Sequence, residues 1–166
     1  SAAASGVKPT WNNSRKYAYQ VLADLGVDTE NIRLIDGSGL SRTNRLTAHF
    51  LTSLLMKTVA EENPELNVIY DRRLLSTAGR NGTLQYRFSE ARTRCARGHV
   101  QAKTGSLRDT NTLAGFVQNG NGSIAVFAFL VNHGPNWYTG NRVRHKMDWI
   151  VSGDADVEVL QRTLSI

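Results

Sequence analysis

Cysteine is almost absent from this 166-residue sequence, and the single Cys95 excludes an intrachain disulfide and any multi-cysteine metal site. No apolar run approaches the roughly 20 residues that a membrane-crossing helix needs. No signal-peptide pattern is visible either, but the chain opens on Ser1 rather than Met, so its start says nothing about export. Internal repeats and low-complexity tracts are missing too, which excludes solenoid and linker-type chains. What remains is the composition of an ordinary soluble domain: 40% apolar, 20% charged and 8% aromatic. Lys and Arg outnumber Asp and Glu by 20 to 14, a formal charge of +6 that suits nucleic acid, an anionic cell-wall polymer or simple solubility. The basic residues gather at Arg72, Arg73 and Arg80, then at Arg87, Arg92, Arg94 and Arg97, and read as a solvated basic face. A nucleic-acid binder would need a recognisable motif or aromatic residues among those arginines, and the stretch offers neither.

Taken in order, residues 1–10 form a flexible lead. Ser5-Gly6-Val7-Lys8 has the spacing of a Ser-x-x-Lys nucleophile. That chemistry needs a helix start, which Gly6 and the Pro9 after the lysine both disfavour, so the match is read as coincidence. Asn13 or Ser14 is expected to cap a helix that carries Tyr17, Ala18, Val21, Leu22 and Leu25 and closes at Gly26. Ile32–Ile35 suggests a short strand running into the turn Asp36-Gly37-Ser38-Gly39-Leu40-Ser41-Arg42, where Arg42 is available to meet an anion. Thr47 opens a second helix with Phe50, Leu51, Leu54, Leu55, Thr58 and Val59 at helical spacing. His49, in its first turn, has no partner in the sequence pattern that would make it a base. Residues 89–98 show no period and are expected to be a basic loop.

The last third is more regular. Strands are expected at 99–106, 112–118 and 123–132, the last two joined by a hairpin at Asn119-Gly120-Asn121-Gly122 whose central residues take positive φ. The run from Ile124 to Val131 is almost wholly apolar, which predicts a strand covered on both faces. A helix over 139–151 should cover one face through Val143, Met147 and Ile150, with a further turn or two from Asp156. In the stretch His99–Leu107, alternation puts Gln101, Lys103 and Gly105 on one face and Ala102, Thr104 and Ser106 on the other. A glycine inside a strand marks a close approach by another backbone or a ligand. A fixed cation beside that gap, flanked by hydroxyls, suits a substrate that carries a carboxylate and a carbonyl open to attack. Lys-Thr-Gly is also one of three short elements of the penicillin-binding protein and serine β-lactamase site.

Four ordered blocks make the pattern more specific. They are Asp36-Gly37-Ser38-Gly39-Leu40-Ser41-Arg42-x-Asn44, Asn81–Arg87, Ala102-Lys103-Thr104-Gly105-Ser106-Leu107 and Leu113-Ala114-Gly115-Phe116. Together they resemble the C-terminal part of the class C low-molecular-mass penicillin-binding proteins, the D-alanyl-D-alanine carboxypeptidase/endopeptidases of the penicillin-binding protein 4 kind, from about Tyr17 to the C-terminal helix. The resemblance implies an α+β fold of three α/β/α layers, incomplete here, with residues 11–166 as the C-terminal part of a catalytic domain. It also implies an extracytoplasmic or periplasmic location and a serine that attacks D-Ala-D-Ala in peptidoglycan stem peptides through an acyl-enzyme. β-Lactams would acylate the same serine, and neither cofactor nor metal is implied. By position, Lys103 would support electrostatics and proton traffic, and Thr104 would bind the terminal carboxylate. Ser106 would complete the oxyanion hole through its N–H, beside Gly105. Arg42 would line the pocket for the stem-peptide side chain, with Leu107 on its apolar wall. The family's Ser-x-Asn element occurs nowhere in the sequence. The expectation is therefore a fragment inactive alone that needs the upstream part of the same enzyme, the alternative being a non-catalytic module that binds cell-wall peptides.

Overall fold

A computed structural model describes residues 6, 8, 10–132 and 137–155. Ser5, most of the lead and the expected turns from Asp156 onward lie outside them. The first helix, α1, spans Trp11–Asp24 and begins earlier than its pattern suggests, because Thr10 caps it by accepting a bond from the Asn13 N–H at 3.2 Å. It closes as expected. Gly26 takes φ 66, its N–H donates to the Ala23 carbonyl, and the Val27 N–H reaches back to Leu22. Thr47 caps α2 (Ala48–Lys57), accepting from the Phe50 N–H at 3.0 Å; Thr58 ends the helix, so Val59 lies beyond it. Leu22, Val27 and Phe50 form a small core with Leu25, Ile32, Leu34, Leu51 and Leu54, fastening α1 to α2. The strand expected at 32–35 is a single bridge, Arg33 to Arg45. Its neighbour Leu34 donates its N–H to the Tyr19 hydroxyl instead.

Among the described residues the sheet has four antiparallel strands in sequence order: β1 (Ser76–Thr77), β2 (Val100–Leu107), β3 (Thr110–Gln118) and β4 (Ile124–Asn132). Val100 and Ala102 of β2, Leu113 and Val117 of β3 and Phe127 of β4 share one face. Helix α4 (Trp137–Ala155) covers that face with Met147 and Val151, which are buried with them. Ile150, expected among the core residues, is 51% exposed; the buried stripe runs through Met147, Asp148, Val151 and Ser152. On the opposite face Phe116 meets the ring of Tyr70, from the short helix α3 (Val68–Asp71), edge to face at 5.3 Å. Helix α2 packs against β3 and β4, and none of its residues enters the α4-side core. The result is the expected α+β sandwich of three layers.

The apolar β4 is less covered than its composition suggests. Only Phe127 is buried, since β4 is an edge strand among the described residues. In the β3–β4 hairpin only Gly122 has positive φ, at 85. The Gly122 N–H donates to the Asn119 carbonyl, and Asn121 Oδ1 accepts from the Ser123 N–H, so a side chain does part of what a second left-handed residue would have done. The basic loop is anchored rather than free. Thr93 and Ala96 are buried, and residues 94–96 form a turn of 3-10 helix.

Of the two glycines in the sheet, Gly115, opposite Ala102, is the one a neighbouring backbone crowds. A Cβ there would sit 2.1 Å from the Gln101 carbonyl oxygen and 2.6 Å from the Ala102 Cα. Gly115→Ala is therefore expected to lower unfolding free energy by about 3 kcal/mol, because backbone on both strands must move. Gly122→Ala, with open space around its Cβ, should lose only about 1 kcal/mol from its positive φ. Equal losses in urea unfolding would refute the tight β2–β3 contact.

Candidate active site

Strand β2 carries five of the six residues singled out from the sequence, and the sheet decides what surrounds each. Strand β1 pairs only with Gln101 and Ala102, so from Lys103 to Leu107 the outer edge of β2 has no strand partner among the described residues. Such an edge presents backbone N–H and C=O groups in a row, ready to pair with an extended peptide. Lys103 is exposed, forms no ion pair among the described residues, and turns its ammonium back onto the Thr104 carbonyl at 2.7 Å. The room above Gly105 is taken by the neighbouring strand: an added Cβ would fall 2.3 Å from Thr112 Oγ1. Thr104, on the other face, donates its hydroxyl to Thr83 Oγ1 at 3.0 Å. That bond ties the 3-10 turn Gly82–Leu84 to the middle of β2. Ser106 is exposed and Leu107 half-buried.

Arg42 arrives from the other end of the chain. Its turn is held from within by Asp36, whose carboxylate accepts from the Gly39 N–H, the Ser41 N–H and the Asn44 side-chain amide. Asn44 Oδ1 accepts in turn from the Ile35 N–H, and Arg45 Nη1 donates to the carbonyls of Arg42 and Asn44. Partial burial pushes the Asp36 carboxyl up, but the bonds from Asn44, Gly39, Ser41 and Ser38 outweigh it and hold its pKa below the usual carboxylate value. Arg42 Nη1 then reaches both oxygens of Asp109, at 3.0 and 3.2 Å. An exposed pair of this kind adds at most about 1 kcal/mol of stability. Its consequence is positional: Asp109 lies two residues past Leu107, so the pair brings Arg42 to the end of β2. The spacing of Arg42 and Asp109 gives no hint of this contact, and sequence reasoning missed Asp109.

A half-open cavity of about 220 Å³ lies beside this strand, between residues 83–93 and α4, and none of Lys103 to Leu107 lines it. Its floor is the Arg87–Asp148 pair, where Nε and Nη2 of Arg87 grip the two carboxylate oxygens. Burial raises the Asp148 pKa above its ordinary value, opposed by the Arg87 hydrogen bonds and charge. His145 Nδ1 and Glu90 Oε1 close one side at 2.6 Å. Thr83 belongs both to this lining and to the bond with Thr104, so the cavity and β2 share a wall.

Residues 1–152 match the D-Ala-D-Ala carboxypeptidase 3 (S13) family. Carboxypeptidase DacB of Mycolicibacterium smegmatis is 41% identical over 120 residues, which cover 71% of this chain and 26% of that protein. The D-alanyl-D-alanine carboxypeptidase of Actinomadura sp. is 35% identical over 130 residues, covering 75% of this chain and 22% of the relative. Penicillin binding protein 4 from Haemophilus influenzae, solved complexed with a novel β-lactam, superposes with a TM-score of 0.70 at 24% identity, over 86% of this chain and 34% of that one. At that identity the likeness shows the fold. The chain spans about a quarter of the length of the curated relatives it matches.

The Asp36 bonds give the turn a definite pH response. A carboxyl whose folded pKa is lowered contributes stability above its unfolded value, near 3.8, and loses it as pH falls through the lower folded value. Hydrogen-exchange protection of the Gly39 and Ser41 amides should therefore persist above pH 3.8 and fade below it. In Asp36→Asn, protection should be weaker and flat with pH; an unchanged acid response in that variant would refute the assignment.

Proposed function

The chain belongs to the D-Ala-D-Ala carboxypeptidase 3 (S13) family, and from that premise we propose that it supplies the Lys-Thr-Gly side of a serine D-Ala-D-Ala carboxypeptidase/endopeptidase site. The observation that carries the reading is the edge of β2 from Lys103 to Leu107, which has no strand partner among the described residues, with an exposed ammonium at its start. A stem peptide ending in D-Ala-D-Ala lies along that edge in extended form, pairing its backbone with β2. Its terminal carboxylate is met by the Thr104 hydroxyl once that hydroxyl turns from Thr83, with the Lys103 charge one residue away; Gly105 makes room for the Thr112 hydroxyl of the neighbouring strand. The Ser106 N–H joins the oxyanion hole and holds the carbonyl oxygen as it gains charge. Arg42, at the end of β2, takes a carboxylate on the stem-peptide side chain, and Leu107 packs against its methylenes.

The nucleophile comes from polypeptide outside these residues. The sequence contains no Ser-x-Asn, and its one Ser-x-x-Lys is interrupted by Gly6 and followed by Pro9. The attacking serine forms an ester with the penultimate D-Ala carbonyl, terminal D-alanine leaves with a proton on its nitrogen, and water then cleaves the ester. A β-lactam ring is attacked in the same way but keeps its leaving group tethered. Peptidoglycan as substrate places the work outside the cytoplasmic membrane. No described helix is long and apolar enough to cross that membrane.

Fluorescent penicillin tests this division of labour. The 166-residue chain alone should remain unlabelled, and the enzyme that joins it to its Ser-x-x-Lys segment should be labelled. Lys103→Ala in that enzyme should slow acylation at least about 100-fold, the order expected for a lost electrostatic contact in the transition state. Stable labelling of the chain alone would put the nucleophile within these residues, with Ser5 the first to substitute. An enzyme never labelled, yet retaining stem peptides, would favour a non-catalytic cell-wall binding module.

A further inference from the structure

We infer that Asp109 is a positioning residue for Arg42, fixing the guanidinium so that one of its edges stays open to a ligand carboxylate. The inference rests on the reading of Arg42 as a contact for the stem-peptide side chain. Both Asp109 oxygens fall on the same nitrogen, Nη1. Neither Nε nor Nη2 of Arg42 has a hydrogen-bond partner among the described residues, and the side chain is 58% exposed. Those two nitrogens form the parallel N–H fork that grips a carboxylate through both oxygens.

Arg42 is restrained from both sides. Its backbone carbonyl is held by Arg45 Nη1 at 2.8 Å, in a turn organised by Asp36, and its tip is held by Asp109. An unrestrained arginine gives up rotamer freedom when a ligand immobilises it, and here that loss has been met before binding. Asp109 also carries a negative charge that opposes an incoming carboxylate. At this exposure water and salt weaken both the repulsion and the ion pair, but the contact of both Asp109 oxygens with Nη1 still sets the direction in which the guanidinium points. Orientation decides the sign, so removing Asp109 weakens recognition of the carboxylate.

The test uses the enzyme that carries this chain and two peptides ending in D-Ala-D-Ala. The stem side chain of one ends in a carboxylate, that of the other in the carboxamide. Wild type should prefer the carboxylate. Asp109→Ala should raise the ratio of the carboxylate KM to the carboxamide KM about five-fold, with the shift in KM rather than in kcat. Asp109→Glu, which keeps an acceptor, should recover most of it. Arg42→Ala should abolish the preference, and adding Asp109→Ala to it should change nothing more, as for two residues acting through one contact. A preference that is unmoved or strengthened in Asp109→Ala, or two effects that add in full, would overturn the inference. If wild type cleaves neither peptide, the functional reading falls and takes this with it. Cleavage of both with a ratio that Asp109→Ala leaves alone removes only the role of Asp109.

Discussion

Between Val100 and Leu107, β2 is held against β3 by eight consecutive residue pairs, and the ladder closes because position 115 carries no Cβ. The candidate site depends on this constraint. Pairing on the β3 side leaves the opposite edge of β2 to whatever the rest of the molecule provides, and β1 covers only its first residues. The ladder also fixes which face each side chain takes, with Lys103 and Gly105 toward the α2 layer and Thr104 and Ser106 toward α4. It ends at Leu107, so the next acidic residue, Asp109, falls in the tight connection to β3, where it meets Arg42.

Around this strand three of the arginines also act as fasteners, while Arg72, Arg80, Arg92 and Arg94 stay exposed as the expected solvated basic face. Arg73 Nη1 donates to the Gly98 carbonyl at 3.0 Å, and Arg97 Nη2 to the Gly79 carbonyl at 3.1 Å. Arg87, largely buried, holds α4 through Asp148. Losing one partner of such a buried pair strands the other charge, at a typical cost of about 3–5 kcal/mol, well above what the exposed Arg42–Asp109 pair contributes. The two ion pairs therefore divide the work: Arg87 holds the layers together, and Arg42 is placed for contact. A chain with a formal charge of +6 thus spends part of its positive charge on its own carbonyls and carboxylates.

The Thr83–Thr104 bond shows how a loop block becomes part of a site. Asn81–Arg87 stood out as one of four ordered blocks, yet nothing in its residue types says that Thr83 touches β2 or that Arg87 touches α4. Both contacts span more than twenty residues of chain. They join the lining of the cavity to the Lys-Thr-Gly strand, and the cavity itself has no sequence signal, since it is made of side chains whose only common property is where the fold puts them.

Elements governed by local physics were legible from the residues: the Thr47 cap, the Gly26 closure, the three long strands and the alternation along β2. Each follows from a backbone preference or a side-chain period that acts within a few positions. The structure departs from those local preferences where a competing residue sits equally close. Thr10 displaced Asn13 and Ser14 as cap, Asn121 stood in for a second left-handed residue, and Ile150 lost the core position to Val151 because the stripe on α4 steps by four from Val143 through Met147 to Val151. The amino-acid order by itself determined the strand that carries Lys103, Thr104 and Gly105, and the family to which those motifs point. Only the tertiary structure decided which edge of that strand is open, that Arg42 reaches its end through Asp109, and that α4 closes a cavity against residues 83–93. These depend on groups far apart in the chain, whose meeting is set by layer packing and strand order rather than by any local rule.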